Sequence, residues 1–236
     1  MASPTRAPSA PEVLSADELA ERLYRVPDLK ARLREMQERL DREERRRHEF
    51  YDWLDEDKKA EFIDGQIVVH SPAVKRHLDA TKWLLKLVDT YVEIRGLGYV
   101  ATEKLLVRLR RNDFEPDLVF YDAEAEADFT DDQLLFPAPD LAVEVLSPGT
   151  EGNDRTTKYD DYAANGVREY WIVDAKAQTV ERHALGSDRT YRLLEKLSDP
   201  RARLTSEAIP GFDIPLAAAF DRAANLTALR TMLAGG

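Results

Sequence analysis

The run Leu141-Ala142-Val143-Glu144-Val145-Leu146 is apolar at every position but one and is closed by the turn residues Ser147-Pro148-Gly149. In an extended chain Leu141, Val143 and Val145 point to one side and Ala142, Glu144 and Leu146 to the other, so both sides of this strand read as interior. A strand buried on both faces belongs inside a sheet covered on both sides, the layout of an α/β domain. The same run places a carboxylate where it is costly: a buried Glu must be paired, protonated or bound to a metal. Taken alone, Glu144 fits a structural ion pair with Lys or Arg as well as it fits a site.

The rest of the chain supplies the other layers. Residues 1–14, rich in Ala, Ser and Pro, read as a disordered tail. Residues 15–54 read as a helical extension: Ser15 and Glu18 make a capping-box pattern, Pro27 ends the first helix, and a second runs over about 28–53. Eight Lys or Arg and seven Asp or Glu share residues 28–49, which reads as a solvated, salt-bridged helix. The compact domain spans 55–236. It opens with a hairpin turned at Asp64-Gly65 and closed by Ser71-Pro72, followed by a helix over 77–94 stopped by Gly96. Strands are predicted at 99–102, 105–109, 118–121 and 141–146, then a helix over 154–165 capped by Asn153 or Asp154 and stopped by Gly166. Strands at 169–173, 179–184 and 191–194 and a helix from about Leu216 complete a mixed-sheet pattern.

Composition removes several chemistries. The 236 residues include no cysteine, which excludes disulfides, thiolate zinc sites, iron–sulfur clusters and cysteine nucleophiles. No stretch approaches the roughly 18 apolar residues of a membrane helix and no signal-peptide core follows the N-terminal charges, so a cytoplasmic location with no membrane partner is expected. The net charge of −11 argues at first against a polyanionic partner. Nine of the 45 acidic residues fall within 113–132, a segment without a basic residue, and the remaining 36 nearly balance 34 Lys and Arg. The acidity is local and does not exclude DNA.

One member of that acidic segment stands apart. In EPDLVFY, Pro116 ends a loop and Asp117 stands at the mouth of the next strand. If strands 118–121 and 141–146 are neighbours, Asp117 and Glu144 converge at one edge of the sheet, and such an oxygen-rich pair suits Mg²⁺ or Mn²⁺. Lys158, in the first turns of the following helix, can point back toward the strand end that carries Glu144, because helical side chains lean toward the N-terminus. There is no P-loop, no G-x-S-x-G elbow and no HExxH. Of His48, His70, His77 and His183, only His77 is placed to face a substrate groove. Tyr170 and Trp171 read as core, and Tyr159 and Tyr162 as packing residues.

The order EFIDGQIVVHSP, His77 at a helix start, EPDLVFY, PDLAVEVLSPGT, DRTTKYDDYAANGVREYWIVD and PGFDIPL, over about residues 61–220, resembles the Uma-type restriction endonuclease family of the PD-(D/E)XK nuclease superfamily. One departure from the general superfamily motif is Leu146 where a lysine would stand; in the Uma-type family the lysine comes from the next helix, at the place of Lys158. The resemblance implies a restriction-endonuclease-like fold and an endonuclease acting on DNA. It implies Asp117, Glu144 and Lys158 as the catalytic set, Glu61 as an auxiliary acid, and Mg²⁺ or Mn²⁺ on Asp117, Glu144 and the carbonyl of Val145. A homodimer fits the superfamily and the helical arm. Two other functions are compatible with the sequence, a non-catalytic nucleic-acid or protein-interaction module of the same fold and a phosphohydrolase of small nucleotides.

Overall fold

The structure, a computed structural model, describes residues 16–55, 58–69 and 72–235. The 1–14 tail, the Ser15 cap, His70 and the Ser71 end of the first hairpin lie outside the described residues. The chain divides into two units, Met1–His48 and Glu49–Gly236. The first holds α1 (Ala16–Tyr24) and most of α2 (Leu29–Trp53), separated at Pro27. Along α2, Arg32 pairs with Asp28 and Glu35 at 3.4 and 3.7 Å, and Leu33, Met36 and Leu40 are exposed. Exposed pairs of this kind contribute about 0–1 kcal/mol each.

In the second unit the elements follow in the order β1 (Ala60–Ile63), β2 (Gln66–Val69), α3 (Lys75–Arg95), β3 (Gly98–Ala101), β4 (Leu106–Arg108), β5 (Asp113–Phe114), β6 (Leu118–Asp122) and α4 (Ala123–Glu126). Then come β7 (Leu135–Phe136), β8 (Leu141–Val145), α5 (Glu151–Asp154), α6 (Thr157–Asn165), β9 (Glu169–Asp174), β10 (Thr179–Leu185), β11 (Tyr191–Leu197), β12 (Arg203–Thr205), β13 (Asp213–Pro215), a 3₁₀ turn (Leu216–Ala219) and α7 (Arg222–Ala234). Six strands form the main sheet in the order β11-β10-β9-β8-β6-β3, antiparallel except for the parallel pair β8 and β9. That pair flanks α5 and α6, since a parallel return needs a crossover. A smaller sheet runs β2-β1-β5-β4-β7.

Both faces of β8 are buried, as its sequence requires. Leu141, Val143 and Val145 join Leu84, Leu87 and Val88 of α3 and Trp171 of β9 in one core layer. Ala142 joins Tyr162 and Ala163 of α6, Tyr170 of β9 and Phe114 of the small sheet in the other. Each buried large apolar side chain contributes roughly 1.5–3 kcal/mol, so these layers outweigh the surface pairs. The result is a mixed α/β architecture with helices on the sheet. Among the described residues no helix is long and apolar enough to cross a membrane.

The turn between β1 and β2 places Asp64 at φ 49° and Gly65 at φ 77°, a pair of left-handed residues that closes a tight hairpin and is tolerated by Asp-Gly. Two expected boundaries differ. The helix predicted over 154–165 is two pieces broken at Arg155 and Thr156, and Asp154 ends α5 with its side chain buried instead of capping α6. The C-terminal helix starts at Arg222, not near Leu216. Asp221 caps it, accepting the Ala224 amide at 2.8 Å, while the residues before it form a buried 3₁₀ turn.

Candidate active site

Antiparallel pairing of β6 and β8 sets Leu118 opposite Val143, which brings Asp117, the residue before β6, beside the Glu144 end of β8. The contact is direct: the Val145 amide donates to Asp117 Oδ2 at 2.7 Å. Glu144 faces away from the α3 side of the sheet, toward α6. Lys158, in the first turn of α6, leans back as a helical side chain does and donates to Glu144 Oε1 at 2.9 Å. Its Nζ also lies 2.8 Å from Glu61 Oε1 on β1 and 3.4 Å from Asp154 Oδ1. Lys158 is only 2% exposed, so this ammonium is solvated by carboxylates instead of water. All four residues named from the sequence, Glu61, Asp117, Glu144 and Lys158, are buried and share this region. Glu61 is no surface hairpin residue; its Oε1 also accepts the Glu115 amide at 2.9 Å.

Three further side chains hold the arrangement. Tyr162 donates its hydroxyl to Glu144 Oε1 at 3.0 Å, so it does more than pack. His77 Nε2 meets Asp117 Oδ1 at 2.9 Å, and its Nδ1 is buried without a hydrogen-bond partner among the described residues. Asp154 is buried, with the Lys158 ammonium 3.4 Å from its Oδ1. The helical spacing of Asp154, Lys158 and Tyr162, four residues apart on either side of the lysine, is the signal by which a sequence reading could have grouped them.

Charge in this cluster is unbalanced. Burial drives the Glu144 carboxyl well above its ordinary range; Lys158 opposes that, and Asp154, Asp117 and Glu61 reinforce it. Burial would discharge Lys158, but Glu144, Glu61 and Asp154 outweigh it and hold the ammonium above the usual lysine range. Asp154 is raised as well, by burial first and against the pull of Lys158. The directions agree physically: one ammonium is shared by several carboxylates and stays charged, while Glu144 and Asp154 are both shifted toward the protonated form. His77 is raised despite burial, because its hydrogen bond and charge contact with Asp117 favour the imidazolium.

A cavity of about 300 Å³ opens here, lined by His77, Asp117, Glu144 and Lys158 together with Lys59 and the Ser147–Thr150 turn. Its donor set fits a hard divalent cation. Asp117 and Glu144 supply carboxylate oxygen to the cavity, and Mg²⁺ takes one or two carboxylates and keeps waters for the rest. Among the described residues no three His, Asp or Glu side chains form a ready-made cage, so main chain and water would complete such a shell. A larger cavity, about 390 Å³ between α3, α7 and β13, gathers mainly apolar groups, and its Arg203 is paired with Asp213 at 2.7 Å.

A mixed sheet in this strand order, flanked by helices, is a restriction-endonuclease-like fold. The model of the Uma2 family, described as "Putative restriction endonuclease", matches residues 47–217, and the chain belongs to that family. A crystal structure from Anabaena variabilis ATCC 29413, described as a "putative nuclease belonging to DUF820", superposes with a TM-score of 0.64 at 16% identity, covering 75% of this chain and 97% of that one. At that identity the likeness establishes the fold alone. Among curated proteins nothing matches the chain.

Proposed function

We propose that this chain is a metal-dependent endonuclease that hydrolyses phosphodiester bonds in DNA. The observation that carries the reading is the buried Lys158 held at 2.8 and 2.9 Å by Glu61 and Glu144, beside Asp117 and at the wall of an open cavity. A structural ion pair would have no need of so many carboxylates, nor of an opening to solvent.

Asp117, Glu144 and the carbonyl of Val145 would hold Mg²⁺ or Mn²⁺. When bound there, the ion would polarise a phosphoryl oxygen and acidify a coordinated water. The chain's own groups do the rest. His77 and the Val145 amide each occupy one oxygen of Asp117 and so set the plane of its carboxylate. Tyr162 and Lys158 both donate to Glu144 Oε1 and fix that oxygen in place. Because its surroundings keep Lys158 charged, it acts as a fixed cation that orients water and stabilises negative charge gathering on the phosphate, not as a base. Water attacks phosphorus in line, one P–O ester bond breaks, and the fragments leave as a phosphate end and a hydroxyl end.

Cleavage of single- and double-stranded DNA with Mg²⁺ and with EDTA tests the reading, beside Asp117→Asn and Lys158→Ala. The expected result is Mg²⁺-dependent internal cleavage that falls at least 100-fold in both variants. Asp117→Asn cutting as fast as wild type would overturn the assignment, and turnover of free nucleotides without cutting of DNA would move the function to small phosphate esters.

A further inference from the structure

Outside the active-site cavity, positive charge gathers along one face of α3. The face of α3 turned away from Leu84, Leu87 and Val88 carries Lys75, Lys82 and Lys86, a spacing that stacks them along one side of the helix. Arg222, at the start of α7, joins them, and with Asp79 and Trp83 these side chains line a depression of about 320 Å³. Asp79 is the one carboxylate lining it. It accepts from Lys75 and from Lys82, the latter at 2.9 Å, and these hydrogen bonds hold its carboxyl below the ordinary range. Lys86 and Arg222 have no acidic partner among the described residues. Four cations thus face one anion on a chain whose net charge is −11.

Position gives this strip its meaning. The N-terminal end of the same helix, where the strip begins at Lys75, also reaches the active-site cavity, with Val74 and His77 forming part of its wall. From Lys75 to Lys86 is eleven residues, or about 16 Å along a helix rising 1.5 Å per residue. That length spans more than one phosphate of an extended single strand. The platform is fixed as well: Asn225 of α7 is buried and donates to the carbonyls of Trp83 and Ala218 at 3.0 and 2.9 Å, so α7 cannot slide on α3. Trp83 is half-buried, with Lys82 Nζ 5.8 Å from its ring centroid.

We propose that this strip seats the sugar-phosphate backbone of a nucleic acid as it leaves the active site, with Lys82, Lys86 and Arg222 on successive phosphates and Trp83 as a stacking surface for an unpaired base. Only the direction of the strand rests on the nuclease reading; the binding surface does not. The strip explains how a chain this acidic offers a polyanion a place to land. Charge complementarity selects a polyanion as the occupant, and the half-buried indole of Trp83 beside the cations favours a nucleic acid, whose bases can stack on it.

The test uses the full chain and a fluorescein-labelled single-stranded 30-mer, with affinity read by anisotropy in EDTA, so that nothing is cut, between 50 and 200 mM salt. A variant combining Lys82→Glu, Lys86→Glu and Arg222→Glu is compared with one combining Lys30→Glu, Arg34→Glu and Arg39→Glu, which changes net charge equally on α2. The expected result is at least a tenfold loss of affinity at 50 mM salt for the first variant and a salt slope shallower by about 2, as three lost single-strand contacts dictate. The second variant should bind as wild type does. Hydrolysis of bis(p-nitrophenyl) phosphate with Mg²⁺ should be unchanged in the first variant. Equal affinity of the first variant and wild type, equal losses in both variants, or a loss seen with phosphatidylserine vesicles and not with DNA would overturn the proposal. A wild type that hydrolyses neither DNA nor the small diester, while the binding difference persists, would sink the nuclease reading and leave the strip standing.

Discussion

Removing the Lys158 ammonium leaves Glu61, Glu144 and Asp154 together in a buried space without the cation they share. Lys158→Met keeps most of the apolar volume and should cost about 3–5 kcal/mol of stability, the range for breaking a buried pair from one side. The sign of its pH dependence follows from the two shifts. Lys158 is raised above its unfolded value, so wild type keeps its contribution everywhere below the lysine range. Glu144 is also raised, so its protonated form stabilises the fold at acidic pH and that contribution is lost as pH rises through its folded value. The variant should therefore lose more stability at pH 8 than at pH 5. Urea unfolding at both values in EDTA checks this, and an equal loss would mean that Lys158 does not compensate the carboxylates. Glu144 could be read from sequence because alternation along a strand is local. Tyr162 and Asp154 could not be assigned: their spacing from Lys158 was visible, but a tyrosine and an aspartate on a helix more often pack and cap than meet a buried glutamate.

At the scale of elements, the break between α5 and α6 matters most, because it turns Asp154 inward and starts a new helix on which Lys158 can reach Glu144. The break is tied to the sheet by Arg155, which contacts Glu181 of β10 at 2.9 Å, while Lys196 of β11 holds the same carboxylate at 2.8 Å. Burial would raise Glu181, but these hydrogen bonds outweigh it and bring its carboxyl down to about 2. A lowered carboxyl contributes stability above its unfolded value and loses it as pH falls toward about 2. Glu181→Gln should accordingly lower the melting temperature by about 2–4 °C near pH 6, a loss of order 1 kcal/mol, and the two proteins should converge at strongly acidic pH. A melting series from pH 2 to 7 decides it; a constant offset would assign the effect to packing. The longer elements β8, β9, α3 and α6 were predictable within a few residues, since buried runs and glycine stops mark them. The two-residue strands β5 and β7 carried no pattern of their own and exist because β1 and β4 provide edges for them.

For the whole molecule, two features of opposite charge stand apart: a basic strip lies on α3 and α7, and an acidic cluster lies at the cavity. Such a cluster should gain stability from a divalent cation. At 100 times its dissociation constant, Mg²⁺ should stabilise wild type by about 2.7 kcal/mol. Asp117→Asn should lose most of that shift at matched ionic strength, which differential scanning calorimetry would report; an equal shift in both proteins would place the ion elsewhere. The sequence by itself determined the α/β layering, the family and the four residues of the cluster, because hydrophobic period, turn residues and motif order are properties of short segments. Only the tertiary structure decided that Asp117 meets Glu144, that Glu61 is buried on the lysine, and that Asp154, Tyr162 and His77 complete the shell. It also brought Arg222 to Lys82 and Lys86 across about 140 residues of chain. Those neighbours are selected by strand register and helix packing, which depend on burying the whole core at once and so are not written in any one segment.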